Sequence, residues 1–195
     1  MTAARERLDQ DSAAGSIKIW DPVVRVFHWG LAAAVFIALM SDEDRALHEG
    51  AGYAALALVL VRILWGFLGP RHARFSSFVR SPGAVVAYLK DVAGLRARRY
   101  LGHNPAGGAM ILLLLAMVAT AGISGRLSET DRFFGIAWVA DLHRASANAL
   151  IALIAFHVAG VVFSSVMHGE NLVRAMITGR KALISTAEDE RPPIR

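Results

Sequence analysis

Residues 142–167 read LHRASANALIALIAFHVAGVVFSSVM, an apolar run with His143 near its start and His157 fourteen positions later. A helix rises about 1.5 Å and turns about 100° per residue, so fourteen steps cover roughly 21 Å and return to nearly the same face. One helix thus carries two imidazoles on one side, one toward each membrane surface. Ionisable groups within a membrane are costly and mark function. The spacing predicts two sites at two depths.

Three further segments have the ~20 apolar residues that a bilayer crossing needs. The four spans are read as about 23–40, 47–68, 106–124 and 142–167. Backbone groups in lipid must bond internally, so these are helices. A soluble bundle helix would show a polar face, and Ile111 to Met117 has none. With 55% hydrophobic residues and mean hydropathy +0.43, the chain departs from soluble composition. The expected fold is all-α: an integral membrane four-helix bundle with short cytoplasmic surface helices. One membrane domain is expected over 17–181, between disordered segments at 1–16 and 182–195.

Lys and Arg set the orientation. Four lie in the segment through Arg25, seven between Arg71 and His103, and five after Met167, whereas the two short connections hold one and two. The positive-inside rule places both termini and the long connection in the cytoplasm of a bacterial inner membrane. The net charge of +5 is this asymmetry, so no nucleic-acid partner is implied. Residues 1–16 lack an apolar core, so no cleaved signal peptide is expected. There is no cysteine, which excludes disulfides, iron–sulfur clusters, thiolate zinc and covalent c-type haem.

The span ends are punctuated. Asp21-Pro22 and Asn104-Pro105 read as N-cap plus first-turn proline, and Gly69-Pro70 ends the second span. Ser81-Pro82 opens a shorter helix, with Val85, Val86, Leu89 and Val92 at helical spacing before Arg96, Arg98 and Arg99. That pattern suits either the inner membrane surface or plain solvent exposure.

His28 falls in the inner half of span one, and His48 at the outer start of span two. Two levels result: His28 with His157 near the cytoplasm, and His48 with His143 near the exterior. Zinc wants four ligands, or three and an open position, and no carboxylate or thiolate joins either pair. Two imidazoles per level suit a haem iron, whose other four ligands come from the porphyrin. Gly108 and Gly122, also fourteen apart, are expected to make room for the macrocycles. Arg25 and Arg62, with Arg144 a weaker third, are the candidate cations for haem propionates. His72, His103 and His168 are read as packed or interfacial, with proton relay to a quinone as the alternative. Trp20, Trp29, Trp65 and Trp138 read as an interfacial belt.

Several passages together resemble the prokaryotic cytochrome b561 family, which includes b-type cytochrome subunits of nickel–iron hydrogenases. They are Trp20-Asp21, Arg25-Val-Phe-His28-Trp29, Leu47-His48-Glu49 with Gly52-Tyr53, and Arg62-Ile-Leu-Trp65-Gly66-Phe67 with Gly69-Pro70. Tyr100-Leu-Gly-His-Asn-Pro105 and the run from Glu170-Asn171 to Lys181 complete the set, covering about residues 17 to 181. The resemblance implies a four-helix membrane bundle with two b haems, four histidine ligands and a quinone site. By order and helix placement it carries the ligand role to His28, His48, His143 and His157.

The expected function is electron transfer between ubiquinone or menaquinone and an external redox protein, a hydrogenase or a c-type cytochrome. Lipid and a second copy of the chain are the other expected partners. Two alternatives stand beside it: superoxide oxidation at the outer face with electrons passed to ubiquinone, and a haem-free membrane scaffold.

Overall fold

The protein is described here by a computed structural model covering residues 15–182. Asp21 caps the first span as its sequence predicts: Oδ1 accepts from the backbone N–H groups of Val23 (2.9 Å) and Val24 (3.2 Å). Helix α1 then runs Pro22–Met40. Asp44 caps α2, Arg45–Leu68, through the Leu47 N–H (3.1 Å). A 3-10 turn (Arg71–Ala73) and the short helix α3 (Phe75–Phe78) follow, then α4, Pro82–Ala93, capped by Ser81. Asn104 caps α5, Pro105–Ser128, and the chain returns through α6, Ala137–Met167.

Four of these helices, α1, α2, α5 and α6, are long and apolar enough to cross a membrane. The fourth begins at Ala137 rather than Leu142. Its 31 residues make about 46 Å of helix, beyond the ~30 Å hydrocarbon layer, so its first turns stand clear of the apolar zone. Polar Asp141 there disguised a helical turn as loop.

All four spans meet in one cluster: Ala34, Val35, Ala55, Val59, Leu115, Val118 and Leu150. Small residues among them let the helix backbones close up, as they do in lipid, where tight packing replaces the hydrophobic drive. Phe36, Leu60, Phe156 and Val166 face outward, the inversion expected when the solvent is hydrocarbon. Helix α1 packs along α2, α5 along α6, and α2 joins the two hairpins by packing on α5. Helix α4 lies against α5 with Tyr88 buried, so it is a docked helix rather than a solvated one.

After α6 the chain forms α7, Leu172–Thr178, and strand β2, Arg180–Ala182. This strand pairs antiparallel with β1, Ser16–Lys18, with Ser16 opposite Ala182 and Lys18 opposite Arg180. Gly179 makes the turn from α7 into β2 at φ +81°, where an added Cβ would also stand 2.7 Å from the Trp20 carbonyl oxygen. The two ends of the described residues therefore lie together, on what is called below the terminal side. Ser16 and Ala182 were assigned by sequence to disordered segments. Their backbones enter this ladder, a pairing across 160-odd residues that polarity alone does not signal. Residues 1–14 and 183–195 lie outside the described residues.

Part-buried Arg99 and Glu170 and buried Lys181 brace the same side. Arg99 is ion-paired with Glu170, and Lys181 Nζ lies 3.0 Å from the other oxygen of that carboxylate. The triad joins the long connection to the end of α6 and to β2.

Candidate haem-binding histidine pairs

Helix α6 presents His143 and His157 toward two different neighbours. His157 faces His28 of α1 with ring centroids 6.3 Å apart and planes at 50°. His143 faces His48 of α2 at 6.0 Å and 77°. The four histidines are thus brought together in the two pairs expected. Neither α1 nor α2 packs extensively on α6, so each pair bridges helices that otherwise stand apart.

The separation is chemically informative. A metal–imidazole bond of about 2 Å, plus roughly 1 Å from nitrogen to ring centre, places two rings on one metal about 6 Å apart. Both pairs have that spacing. Among the described residues no cluster of three or more His, Asp or Glu is assembled to hold a bare ion. Two protein ligands per level suffice only if the remaining ligands come with the metal, as they do in a porphyrin.

On the loop side, the side of the two short connections, both imidazoles are locked by the backbone. His48 Nδ1–H donates to the Ala38 carbonyl (2.9 Å), and His143 Nδ1–H donates to the Ala121 carbonyl (2.8 Å). A carbonyl only accepts, so this fixes the tautomer and leaves each Nε2 lone pair for a metal. Gly125 sits against the second ring: a Cβ there would be 3.0 Å from His143 Cε1. Sequence reading missed Gly125, although it lies three residues after Gly122 on the same stretch of α5.

The terminal-side pair is held differently. His28 Nδ1 is buried without a hydrogen-bond partner, and the Trp29 ring stands edge-on to His28 at 5.0 Å. Nearby, Arg62 is only 3% exposed and its Nη1 is also unpartnered. Its guanidinium lies over Phe75 (5.0 Å) and Phe78 (5.8 Å). Asp21 is its nearest acidic influence but makes no ion pair with it, so a propionate would complete the unpartnered nitrogen of this buried cation.

The other expected propionate ligands differ. Arg25 donates from Nη1 to the Thr178 carbonyl (3.3 Å), where the C-terminal end of α7 attracts a cation. Arg144 is exposed, 3.8 Å from Asp141. Arg25 nonetheless keeps a buried Nε without a partner, as Arg62 keeps its Nη1, while both Arg25 and Arg144 have protein partners.

So do the two glycines expected at the macrocycles. A Cβ on Gly108 would meet the Phe78 carbonyl oxygen at 2.6 Å, and one on Gly122 would meet Leu56 at 2.6 Å. Their nearest atoms belong to neighbouring helices, not to either imidazole pair, so helix packing accounts for them. Identical spacing on α5 and α6 did not imply facing positions.

His103 is the other departure. Rather than standing at the water boundary, its ring lies between Trp20 (4.5 Å) and Phe78 (4.8 Å), with Nδ1 buried and unpartnered. Burial, aided by nearby Arg62, Lys181 and other imidazoles, pushes its pKa down to about 3. Trp20 is correspondingly buried, and Trp65 donates from Nε1 to Asp21 (3.2 Å), whereas Trp29 and Trp138 remain exposed as interfacial residues do. His72 is lowered by burial and by Arg71. His168, beside the Arg99–Glu170–Lys181 triad, is lowered mainly by burial.

Comparison with known proteins agrees with this geometry. The chain is 25% identical to a probable Ni/Fe-hydrogenase B-type cytochrome subunit of Rhodobacter capsulatus, covering 97% of this chain and 88% of the relative. A protein of the same description from Azotobacter vinelandii is 27% identical, over 91% of each chain. No solved structure matches the chain. The sequence model of the prokaryotic cytochrome b561 family matches residues 19–179, from just before α1 to the turn after α7. The chain belongs to that family of integral membrane b-type cytochromes, and its work is electron transport.

Proposed function

We propose that the chain is a diheme cytochrome b, with one haem b held by His28 and His157 and a second by His48 and His143. It exchanges electrons between membrane quinone and a redox protein, a hydrogenase by analogy with its relatives' names. The carrying observation is the pair of imidazole separations, 6.3 and 6.0 Å, at two heights of one bundle. Each bound iron porphyrin would supply a one-electron carrier.

The chain's own residues set the surroundings. The Ala38 and Ala121 carbonyls orient and enrich the loop-side imidazoles. Arg62 supplies buried positive charge on the terminal side, suited to a carboxylate. The four apolar spans exclude water around both pairs. The domain doing this is residues 17–181, with the terminal side cytoplasmic by its surplus of Lys and Arg.

Superoxide oxidation would need an attractive positive field on the loop side. There Arg45 is paired with Glu49 and Glu129, and Arg144 stands beside Asp141. That offsets two of the four arginines there, Arg45, Arg126, Arg132 and Arg144, and supports the quinone–protein reading.

The test is stopped-flow reduction of the purified holoprotein in lipid. Quinol, or reduced hydrogenase partner, should reduce both haems in turnover-competent time, with superoxide much slower. Reduction by superoxide near the diffusion limit, with none by quinol or partner, would refute the proposal.

A further inference from the structure

Outside the histidine pairs, a cavity of about 460 Å³ opens where the long connection leaves α2 and returns to α5. Arg71, Arg74 and Arg80 line it with His72, Ser76 and Tyr100, over a floor that includes Phe78. No carboxylate is among its lining residues. In the whole connection from 71 to 103 the sole acid is Asp91. The three arginines make no ion pair among the described residues.

Two of the arginines are oriented by the backbone. Arg74 Nε donates to the Gly69 carbonyl (2.7 Å), and Arg80 Nη2 donates to the Ser77 carbonyl (3.1 Å). Each uses one N–H in this way and keeps others for a ligand. Three guanidinium groups and a serine hydroxyl lining one cavity, with no carboxylate among the lining residues, are the donor set of a phosphate site.

Depth selects the source of the phosphate. Arg71 lies three residues beyond the end of α2, and the floor of the cavity reaches His103, two residues before α5 begins. Span ends mark the headgroup layer of the bilayer. Exposed Phe67, Leu68 and Val79 flank the arginines in sequence and offer apolar surface for acyl chains. A soluble phosphate has no use for such surface.

We propose that this cavity binds a phosphate-bearing anion, supplied by the headgroup of an acidic phospholipid. The site is separate from electron transfer and does not depend on the haem assignment. It anchors the connection between α2 and α5 to the membrane surface.

The test uses the full-length holoprotein in nanodiscs of phosphatidylcholine, with or without phosphatidylglycerol. Retained lipid is counted by native mass spectrometry, and thermal stability is followed by loss of the Soret band. Wild type should retain phosphatidylglycerol and be stabilised by it. The double variant Arg71→Gln/Arg80→Gln should bind it about tenfold more weakly or worse, with haem content unchanged. Lys90→Gln/Arg96→Gln, which removes equal charge from the same connection outside the cavity, should behave as wild type. Ser76→Asp, which adds a carboxylate to the lining, should repeat the loss without deleting an arginine.

Inorganic phosphate distinguishes the sources. Stabilisation by phosphate alone, abolished in the double variant and without lipid retention, would keep the anion site but overturn its lipid occupant. Equal losses in both double variants would overturn the site, since general surface charge would explain them. So would loss of haem from Arg71→Gln/Arg80→Gln, because the cavity would then belong to the cofactor.

Discussion

The two histidine pairs share a helix, a fourteen-residue spacing and nearly equal ring separations, yet their surroundings differ. On the loop side both imidazoles are tied through Nδ1 to carbonyl oxygens, and the nearby cation Arg45 is exposed and paired with acids. On the terminal side His28 Nδ1 has no partner, and Arg62 is buried with an unpartnered nitrogen. Backbone-bonded imidazoles are the more basic ligands and favour oxidised iron, whereas a buried cation favours the reduced form. Similar ligand geometry can thus be set at two potentials. The account gives the lower potential to the loop-side haem and the higher to the terminal-side one.

The largest effects should come from the ligands themselves. His48→Ala or His143→Ala should remove the loop-side haem and leave the other, halving haem per chain by pyridine haemochrome assay. Loss of both would break the comparison by making the sites interdependent. Next come the glycines. Gly125→Val should crowd His143 and lower loop-side haem occupancy alone. Gly108→Ala should leave both haems but cost about 1–3 kcal/mol of stability, because its Cβ would strike the Phe78 carbonyl, a backbone atom that yields poorly.

Smaller shifts sharpen the electrostatic contrast. In a potentiometric titration Arg62→Gln should lower one midpoint by tens of millivolts, while exposed Arg45→Gln should barely move either. The smallest effect concerns acid sensitivity. His103 takes up its proton near pH 3 when folded and near pH 6.5 when unfolded, so its contribution to stability is complete above 6.5 and declines as pH falls toward 3. His103→Phe should flatten that decline in thermal melts of the holoprotein, with little change at neutral pH.

The four spans, the caps of α1 and α5 and the pairing of histidines by depth were legible in the sequence, since each rests on local pattern and a fixed helical pitch. What escaped was tertiary. Gly108 and Gly122 keep their spacing but face Phe78 and Leu56, because the rotation of α5 about its axis is set by packing on α2 and the connection. Arg25 lies one turn from His28, yet reaches the end of α7, an element placed by the β1–β2 pairing. His103 stood next to a cap motif in the sequence, and only the folded connection puts Trp20 and Phe78 on either side of it. The carbonyls of Ala38 and Ala121 carry no side-chain signal at all.

The most direct test is haem stoichiometry in wild type and His157→Ala, measured on purified protein beside its reduced-minus-oxidised spectrum. Two haems b per wild-type chain and one, on the loop side, in the variant are the predicted results. A colourless or single-haem wild type, or a variant keeping both haems, would contradict the account.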